Sequence, residues 1–335
     1  MFPDYIRAVD TLRSGGLVVF PTETVYGLGA DAANPEAVSA IFALKGRPAA
    51  HPLIVHLPGA DYLGQWAKNI PSLAFELAEA FWPGPLTLIL HRASGTPNAV
   101  TGGQDTVGVR VPAHPAALEL LRMFAEAGGG HGRRCGIAAP SANRFGQVSP
   151  TCVEHVREEF GASLPFVIDG GSCALGIEST IIDLSRGEGF APRLLRPGAI
   201  STDRIETALG ARLELPRHVS GDAAPRVSGS LSSHYAPKTP MYLLPSSRLL
   251  EAFGTLSAKG KKIGVLAFSE GMKSGSGIPA ASLFLLPGTP DGYARALYAG
   301  LRELDRAGYD AILAESVPGG SCWMAAADRL RRASH

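Results

Sequence analysis

Short apolar runs alternate with helical patterns through residues 1–210, and this alternation restricts the fold more than any other feature of the chain. The predicted strands are Leu17–Phe20, Pro52–Leu57, Leu86–Leu90, Thr106–Val111, Ile137–Pro140, Phe166–Asp169 and Ser179–Leu184. The predicted helices are Asn34–Leu44, Leu73–Trp82, Pro115–Ala127 and one that begins at Thr151 in a capping box with Glu154. Strands and helices mixed in this order predict an α/β or α+β domain built around one sheet.

The composition changes near residue 213. Residues 215–240 are rich in Pro, Ser, Gly, Ala and Arg without a sustained period, which is typical of a linker. After it, Lys262–Phe268 and Tyr309–Ala314 are predicted strands, and Tyr293–Ala307 and Ser321–Arg332 predicted helices. The expected organisation is a first domain at 1–212, a linker at 213–239 and a small Rossmann-like α/β domain at 240–335.

Charge and cysteine content exclude several classes of protein. The 31 basic and 30 acidic residues give a net charge of +1, so any contact with nucleic acid must come from a local patch. Cys135, Cys152, Cys173 and Cys322 form no Cys-x-x-Cys pair, which argues against zinc-ribbon and thioredoxin-type sites. No signal peptide and no apolar run of about 20 residues is visible, and we expect a cytoplasmic protein without a membrane span.

Familiar nucleotide and hydrolase motifs are missing from the sequence. There is no Gly-x-x-x-x-Gly-Lys-Ser/Thr, no His-Glu-x-x-His, no Gly-x-Ser-x-Gly and no kinase signature. A nucleotide bound by this chain must therefore be held by a different arrangement of groups.

Two polar segments are candidate ligand sites, and the first lies at a strand end, where α/β proteins place ligands. Residues 21–29, PTETVYGLG, follow a predicted buried strand and read either as a ligand loop or as a turn that needs its glycines. Lys45-Gly46-Arg47-Pro48 follows a predicted helix. Its two cations either complement the helix carboxyl end or form a phosphate clamp, and the motif alone leaves both open.

Arg110 stands inside the predicted strand 106–111. Val107, Val109 and Val111 share one face of that strand, so Arg110 points to the other, beside Gly108. A guanidinium in such an apolar setting needs a carboxylate, either from the protein or from a ligand, unless the position is an exposed edge. The same argument applies to Arg196, which follows an apolar pair.

The order of these segments resembles the YrdC-type threonylcarbamoyl-AMP synthase family. The segments are PTETVYGLG, KGRP, PLIVH, PGPLTLIL, VGVRVP, APSAN, SPT, GIESTIID and LRPG, and the resemblance covers residues 14–210. His234-Tyr235-Ala236-Pro237 and Ala327-Asp328-Arg329-Leu330 resemble the long form of the family, which has an extra C-terminal domain. The resemblance implies a twisted mixed sheet with helices and a large, positively lined concave cavity.

The resemblance also implies an activity and a set of site residues. L-threonine, bicarbonate and ATP would be condensed to threonylcarbamoyl-AMP and pyrophosphate, with Mg²⁺ held mainly by phosphates and water and no metal site of protein ligands. Lys45 and Arg47 would stabilise the triphosphate during catalysis. The threonine side would be Thr24, His56, Arg110, Ala139 and Ser179. The ATP side would be Arg47, His51, Thr106, Ser141, Asn143, Ser149, Arg196 and Tyr235, the last as part of a lid.

The product would pass to proteins that transfer the threonylcarbamoyl group to tRNA, and a tRNA contact by this chain is possible. Three departures from the family pattern stand out: His51 in place of the usual Asn, a basic Gly-rich insertion at 128–134, and the linker stretch 228–231. The insertion reads either as a surface loop or as a segment near nucleotide or RNA.

Two rival functions stay open. The same fold could bind structured RNA without catalysis, or could make a different carbamoyl-adenylate, as hydrogenase-maturation relatives do. Those relatives carry zinc-finger and acylphosphatase segments that this chain lacks. The C-terminal domain shows no site of its own in the sequence and is expected to gate or dock.

Overall fold

The computed structural model describes residues 2–215, 224–229, 234–269, 272 and 277–334. The chain divides into two compact units. The first comprises Met1–Phe145, Pro150–Ala174 and Glu178–Ser230, and the second comprises Gly146–Ser149, Leu175–Ile177 and Leu231–His335. Among the described residues, no helix combines the length and apolar character that crossing a membrane requires.

The first unit contains nine strands and eight helices among its described residues. The strands are β1 (Val18–Phe20), β2 (Gly27–Asp31), β3 (Ile54–His56), β4 (Leu86–His91), β5 (Thr106–Arg110), β6 (Ile137–Ala138), β7 (Phe166–Val167), β8 (Thr180–Asp183) and β9 (Arg193–Arg196). The helices are α1 (Phe2–Arg13), α2 (Pro35–Lys45), α3 (Leu63–Trp66), α4 (Ser72–Phe81), α5 (Asn98–Thr101), α6 (Pro115–Glu126), α7 (Val153–Phe160) and α8 (Thr202–Leu209). The strands form one mixed sheet in the order β7-β1-β2-β6-β3-β5-β4-β8-β9. The predicted mixed α/β fold is thereby confirmed.

The core on one side of this sheet is made by α1 and α6. Leu12 of α1 and Leu120 and Phe124 of α6 are fully buried together with Phe20 and Ile137 of the sheet. Burying each such side chain stabilises the fold by about 1.5–3 kcal/mol. These apolar faces hold the helices against the strands, which leaves the strand ends to carry the polar groups.

Helix α2 begins and ends within one residue of the bounds that the sequence predicts. Asn34 accepts hydrogen bonds through Oδ1 from the backbone N–H groups of Glu36 and Ala37, at 3.0 and 3.2 Å. Gly46 ends the helix in the left-handed region, with φ of 64°, which glycine adopts without steric cost. The helix therefore ends at Lys45, and the chain turns there before Arg47.

The predicted capping box at Thr151 is wrong. Helix α7 begins at Val153, and its N-terminal residue Cys152 makes no side-chain cap hydrogen bond. The backbone N–H of Thr151 donates instead to His155 Nδ1 at 3.2 Å. Because the helix starts two residues later than the pattern indicated, Glu154 lies in its first turn.

The second unit contains a small parallel sheet. Its described strands are β10 (Met241–Leu244), β11 (Ile263–Ala267), β12 (Leu283–Leu285) and β13 (Ala311–Glu315), in the order β10-β13-β11-β12. Its helices are α9 (Ser246–Ala258), α10 (Pro290–Arg306) and α11 (Met324–Ala333). All three strand pairings are parallel; helix α9 connects β10 to β11 and helix α10 connects β12 to β13, as parallel strands require long crossover connections. The prediction of a small α/β domain here is confirmed.

The Gly-rich insertion is tied to the first unit at two points. The backbone N–H of His131 donates to Asp31 Oδ2 at 2.7 Å. Arg134 lies over the Trp66 ring, 5.4 Å from its centroid, and donates to the Ser94 carbonyl at 2.7 Å. The insertion is therefore an ordered part of the first unit.

Candidate active site

A row of residues crosses the large sheet at the level of Arg110. Strand register pairs His56 with Arg110 across β3 and β5. Continuing the antiparallel register of β4 and β5 places Thr87 beside Arg110. Thr87 pairs with Ile181, and Ile181 pairs with Arg196 of β9. Five strands far apart in the sequence thus bring two buried arginines and a buried histidine to one level of the sheet.

Arg110 is buried, with 4 % of its surface exposed. Its NH2 donates to Glu23 Oε1 at 2.6 Å, its NH1 to Thr24 Oγ1 at 3.0 Å, and its Nε to the Gly84 carbonyl at 3.2 Å. The buried guanidinium therefore has a protein carboxylate as its partner, which is one of the two possibilities that the sequence left open.

His56 is buried next to this guanidinium. Burial, followed by the charge of Arg110, lowers the pKa of His56 to about 3. Its ring meets the Phe20 ring edge-on, with 6.2 Å between centroids. The imidazole is therefore neutral throughout the physiological range.

We expect this histidine to make stability depend on pH. An unfolded histidine has a pKa of about 6.5, so between pH 3 and 6.5 the unfolded chain binds more protons, and stability falls as the pH is lowered. His56→Leu should reduce the slope of unfolding free energy against pH in that window by up to about 1.4 kcal/mol per unit. Urea unfolding at several pH values measures the slope. The exposed His131→Leu variant is the control, and equal slopes for the two variants would contradict the expectation.

Lys45 lies at the end of α2, with 3 % of its surface exposed. Its Nζ donates to the carbonyl of Ser141 at 2.6 Å and also to the carbonyl of Asn143. Burial, followed by the nearby charge of Arg47, holds the pKa of Lys45 well below its usual range. The KGRP and APSAN segments are thereby joined, although they are about a hundred residues apart in sequence.

Arg47 and Arg196 both contact Ser228. Arg47 NH2 donates to Ser228 Oγ at 3.0 Å, and Arg196 NH1 donates to the Ser228 carbonyl at 2.8 Å. Arg196 also donates through NH2 to the carbonyl and hydroxyl oxygens of Ser179, at 2.9 and 3.0 Å. Two cations from distant segments therefore converge on one residue of the predicted linker.

The described linker residues 224–229 cover one face of the sheet. Val227 is buried against Ile89 and Ile181, and Arg226 exchanges backbone hydrogen bonds with the Gln104 side chain. Between residues 226–228 and the sheet only about 10 Å³ of free space is left. This segment therefore fills the space in front of the sheet face that carries Thr106 and Gly108.

The remaining predicted residues of the first unit lie in or beside this group of buried arginines, histidine and hydroxyl side chains. Ala139 donates its N–H to the Ile54 carbonyl at 3.0 Å, and Ser179 Oγ lies 2.8 Å from Thr87 Oγ1. Thr106 lines the small space under the linker segment. The His51 ring packs on Phe145, with centroids 5.4 Å apart, and burial and then the charge of Arg47 lower the His51 pKa.

Ser149 and Tyr235 belong to the second unit. Ser149 is fully buried there. The Tyr235 ring stacks on Tyr298, 5.8 Å between centroids, and the Arg329 guanidinium lies 4.9 Å from its centre. The predicted ATP contacts of Ser149 and Tyr235 stay predictions.

Gly198 allows the chain to pass close to Ser179. A Cβ at this position would lie 2.3 Å from the Ser179 carbonyl carbon and from the Thr180 nitrogen. Because both are backbone atoms, relief requires moving β8. We expect Gly198→Ala to lower the unfolding free energy by about 1–3 kcal/mol, measured by urea unfolding. The matched control is Gly254→Ala in α9, where no atom lies within 4 Å and a small gain is expected; equal effects would contradict the account.

Three residues of this group were not identified from the sequence. Glu23 is the carboxylate that Arg110 requires, and its place between two threonines directly after a predicted buried strand is a signal that could have identified it. Thr87 is a buried polar residue in the otherwise apolar stretch Leu86–Leu90 of β4, which is a signal that could have identified it. Ser228 could not have been found, because its contact with Arg47 joins residues separated by 181 positions.

No cluster of three or more His, Cys, Asp or Glu side chains suited to a metal ion occurs in the described part of the chain. The donor set at the site is cationic and hydroxylic, which suits phosphate oxygens better than a divalent cation.

Comparison with known proteins covers both units. Residues 10–198 match the Sua5/YciO/YrdC family, described as telomere recombination, and residues 200–335 match the threonylcarbamoyl-AMP synthase C-terminal domain. The chain is 41% identical to the threonylcarbamoyl-AMP synthase of Pyrococcus abyssi over 98% of its own length and 93% of the relative's. It is 36% identical to that of Bacillus subtilis over 99% and 93%.

The fold agrees with these relationships. The crystal structure of P. abyssi Sua5 complexed with L-threonine superposes with a TM-score of 0.87 at 40% identity, covering 99% of this chain and 94% of that one. Escherichia coli YciO, at 23% identity and a TM-score of 0.52 over 61% of this chain and 94% of its own, shares the fold of the first unit. The chain therefore belongs to the threonylcarbamoyl-AMP synthase family of nucleotidyltransferases, in its long form with the Sua5 C-terminal domain.

Proposed function

We propose that this chain condenses L-threonine, bicarbonate and ATP to threonylcarbamoyl-AMP and pyrophosphate. The observation that carries the proposal is the convergence of Arg110, Arg196 and Arg47 with small hydroxyl residues on one region of the first unit. Such a set of fixed donors suits one carboxylate and one polyphosphate. The relatives are named threonylcarbamoyl-AMP synthases, and the P. abyssi protein forms a complex with L-threonine, which supports this choice of substrates.

On the threonine side, Arg110 binds the amino-acid carboxylate. Thr24 is held beside it by the hydrogen bond from Arg110 NH1, and Thr24 Oγ1 also lies 2.8 Å from Thr22 Oγ1. His56, Ala139 and Ser179 complete this side of the pocket. The neutral imidazole of His56 adds no second positive charge next to the substrate amine.

On the ATP side, Lys45, Arg47 and Arg196 receive the triphosphate. Ser228 lies where its oxygens accept from both arginines, so phosphate oxygens can take its place when the linker segment moves aside. His51, Thr106, Ser141, Asn143, Ser149 and Tyr235 are the further proposed ATP contacts. Mg²⁺ would arrive with the triphosphate, and the roles given to these residues do not depend on it.

The reaction needs positioning more than covalent catalysis. The threonine amine forms a bond to the bicarbonate carbon with loss of water, which gives a carbamate. A carbamate oxygen then forms a bond to the α-phosphorus while the bond to the pyrophosphate leaving group breaks. Lys45, Arg47 and Arg196 neutralise the charge that develops on the leaving group. The product would pass to proteins that modify tRNA.

Pyrophosphate release tests the proposal. We expect release that requires L-threonine, bicarbonate and ATP together, with a mass spectrum that shows threonylcarbamoyl-AMP. Release that is independent of threonine, or that needs carbamoyl phosphate instead, would contradict it. RNA affinity without any turnover would favour a binding module of the same fold.

A further inference from the structure

Glu23 lies in the buried turn between β1 and β2, with 7 % of its surface exposed. Its two carboxylate oxygens have different partners. Oε1 accepts from Arg110 NH2 at 2.6 Å, and Oε2 accepts from the backbone N–H of Ala113 at 3.0 Å. The carboxylate therefore connects the end of β5 to the threonine-side turn and cannot rotate without losing one of the two contacts.

The guanidinium of Arg110 is held at each of its three nitrogens. Nε donates to the Gly84 carbonyl, NH1 to Thr24 Oγ1 and NH2 to Glu23 Oε1. A guanidinium has five N–H groups, so one on each terminal nitrogen has no acceptor in the described part of the chain. Two N–H groups on two nitrogens are what a carboxylate binds in a forked pair.

We propose that Glu23 is a positioning residue, which orients the Arg110 guanidinium so that its two free N–H groups face the substrate carboxylate; this rests on the proposed function. Without Glu23 the buried Arg110 guanidinium would donate only two hydrogen bonds, both to neutral acceptors, and would have no charged partner to fix its plane. A correctly oriented fork is required because forked recognition depends on both bonds being aligned. The role of Glu23 is thus exerted through Arg110.

A merely structural role and a positioning role give different results with substrate analogues. L-threoninol keeps the amine and side chain of threonine but has an alcohol in place of the carboxylate. A loss of general stability would weaken binding of both ligands equally. A misoriented fork would weaken binding of L-threonine alone, so the ratio of the two affinities isolates the orientation of Arg110.

The experiment measures affinities for L-threonine and L-threoninol by calorimetry in the full chain. Glu23→Gln keeps the shape, but one amide oxygen cannot serve both Arg110 and Ala113. We expect the preference for threonine over threoninol to fall about tenfold, which is the change in affinity expected for the loss of one charge-assisted hydrogen bond. The KM for threonine should rise by a similar factor, with the KM for ATP unchanged.

Asp31→Asn is the matched control. Asp31 is also buried, at 2 % exposure, and accepts backbone hydrogen bonds from Ala33 and His131, so its loss should lower stability without changing the preference. An unchanged preference in folded Glu23→Gln would overturn the positioning role. If Glu23→Gln does not fold, the same affinity ratio is measured in Glu23→Asp, which keeps the charge but is too short to reach both partners. An unchanged ratio in that variant would likewise overturn the positioning role.

Arg110→Ala separates this inference from the proposed function. It should remove the preference for threonine over threoninol entirely. If Arg110→Ala keeps the preference, the carboxylate site itself is misplaced, and the proposed threonine pocket fails together with the role of Glu23. If Arg110→Ala removes the preference and Glu23→Gln does not alter it, only the positioning role fails.

Discussion

Arg110→Ala is expected to reduce threonine-dependent pyrophosphate release by about a thousandfold or more. The substitution removes the guanidinium that binds the substrate carboxylate. Losing such a bidentate, charge-assisted pair in a buried site costs several kcal/mol of binding free energy. It also leaves Glu23 buried without its partner, which should cost about 3–5 kcal/mol of stability. Activity is therefore measured well below the melting temperature, which circular dichroism establishes.

Arg122→Ala is the control for this variant. Arg122 is half exposed on α6, where it pairs with Glu119 and Glu126. Surface pairs of this kind contribute at most about 1 kcal/mol, so turnover should be unchanged. Full activity of folded Arg110→Ala would show that the amino-acid pocket has been placed wrongly.

Arg196→Ala is expected to give the second largest loss, on the ATP side. Arg196 makes hydrogen bonds to Ser179 and to the Ser228 carbonyl. When ATP binds, its guanidinium would form charge-assisted hydrogen bonds to the triphosphate. A charge-assisted hydrogen bond contributes about 1.5–3 kcal/mol, which corresponds to a ten- to hundredfold loss in kcat/KM for ATP. The measurement is initial-rate kinetics with ATP varied at saturating L-threonine.

Arg193→Ala offers a control on the same strand. Arg193 lies at the other end of β9, and its NH2 is 3.5 Å from Glu214 Oε1. We expect this variant to lose some stability and to keep the KM for ATP. Equal kinetic losses in the two variants would indicate that β9 matters only as a scaffold.

Local patterns predicted those parts of the fold that local physics determines. The capping of α2 by Asn34 and its end at Gly46 need only neighbouring residues, and the structure confirms both. The alternation in β5 correctly placed Arg110 away from its valines. By contrast, β2 is rich in glycine and carries no clear period of two, and α1 and α8 were not recognised. The Thr151 capping box failed because a nearby histidine competes for the same backbone N–H.

The sequence pointed to candidate site residues but not to the contacts between them. Arg110 was correctly identified as a residue that needs a carboxylate, yet its partner Glu23 lies 87 positions away. The order of strands, which places Arg196 and His56 on the same row, results from tertiary packing rather than from local pattern. Similarly, the segment 224–229 shows no strand or helix period, and its place against the sheet depends on Val227 and on contacts with distant residues.

A crystal structure with L-threonine and a non-hydrolysable ATP analogue would show whether the arginines of the first unit bind both substrates. The account predicts the threonine carboxylate within hydrogen-bond distance of Arg110, and the triphosphate on Arg47 and Arg196 with Ser228 displaced from both. A nucleotide bound elsewhere while Ser228 keeps both arginines, or a threonine carboxylate far from Arg110, would contradict it.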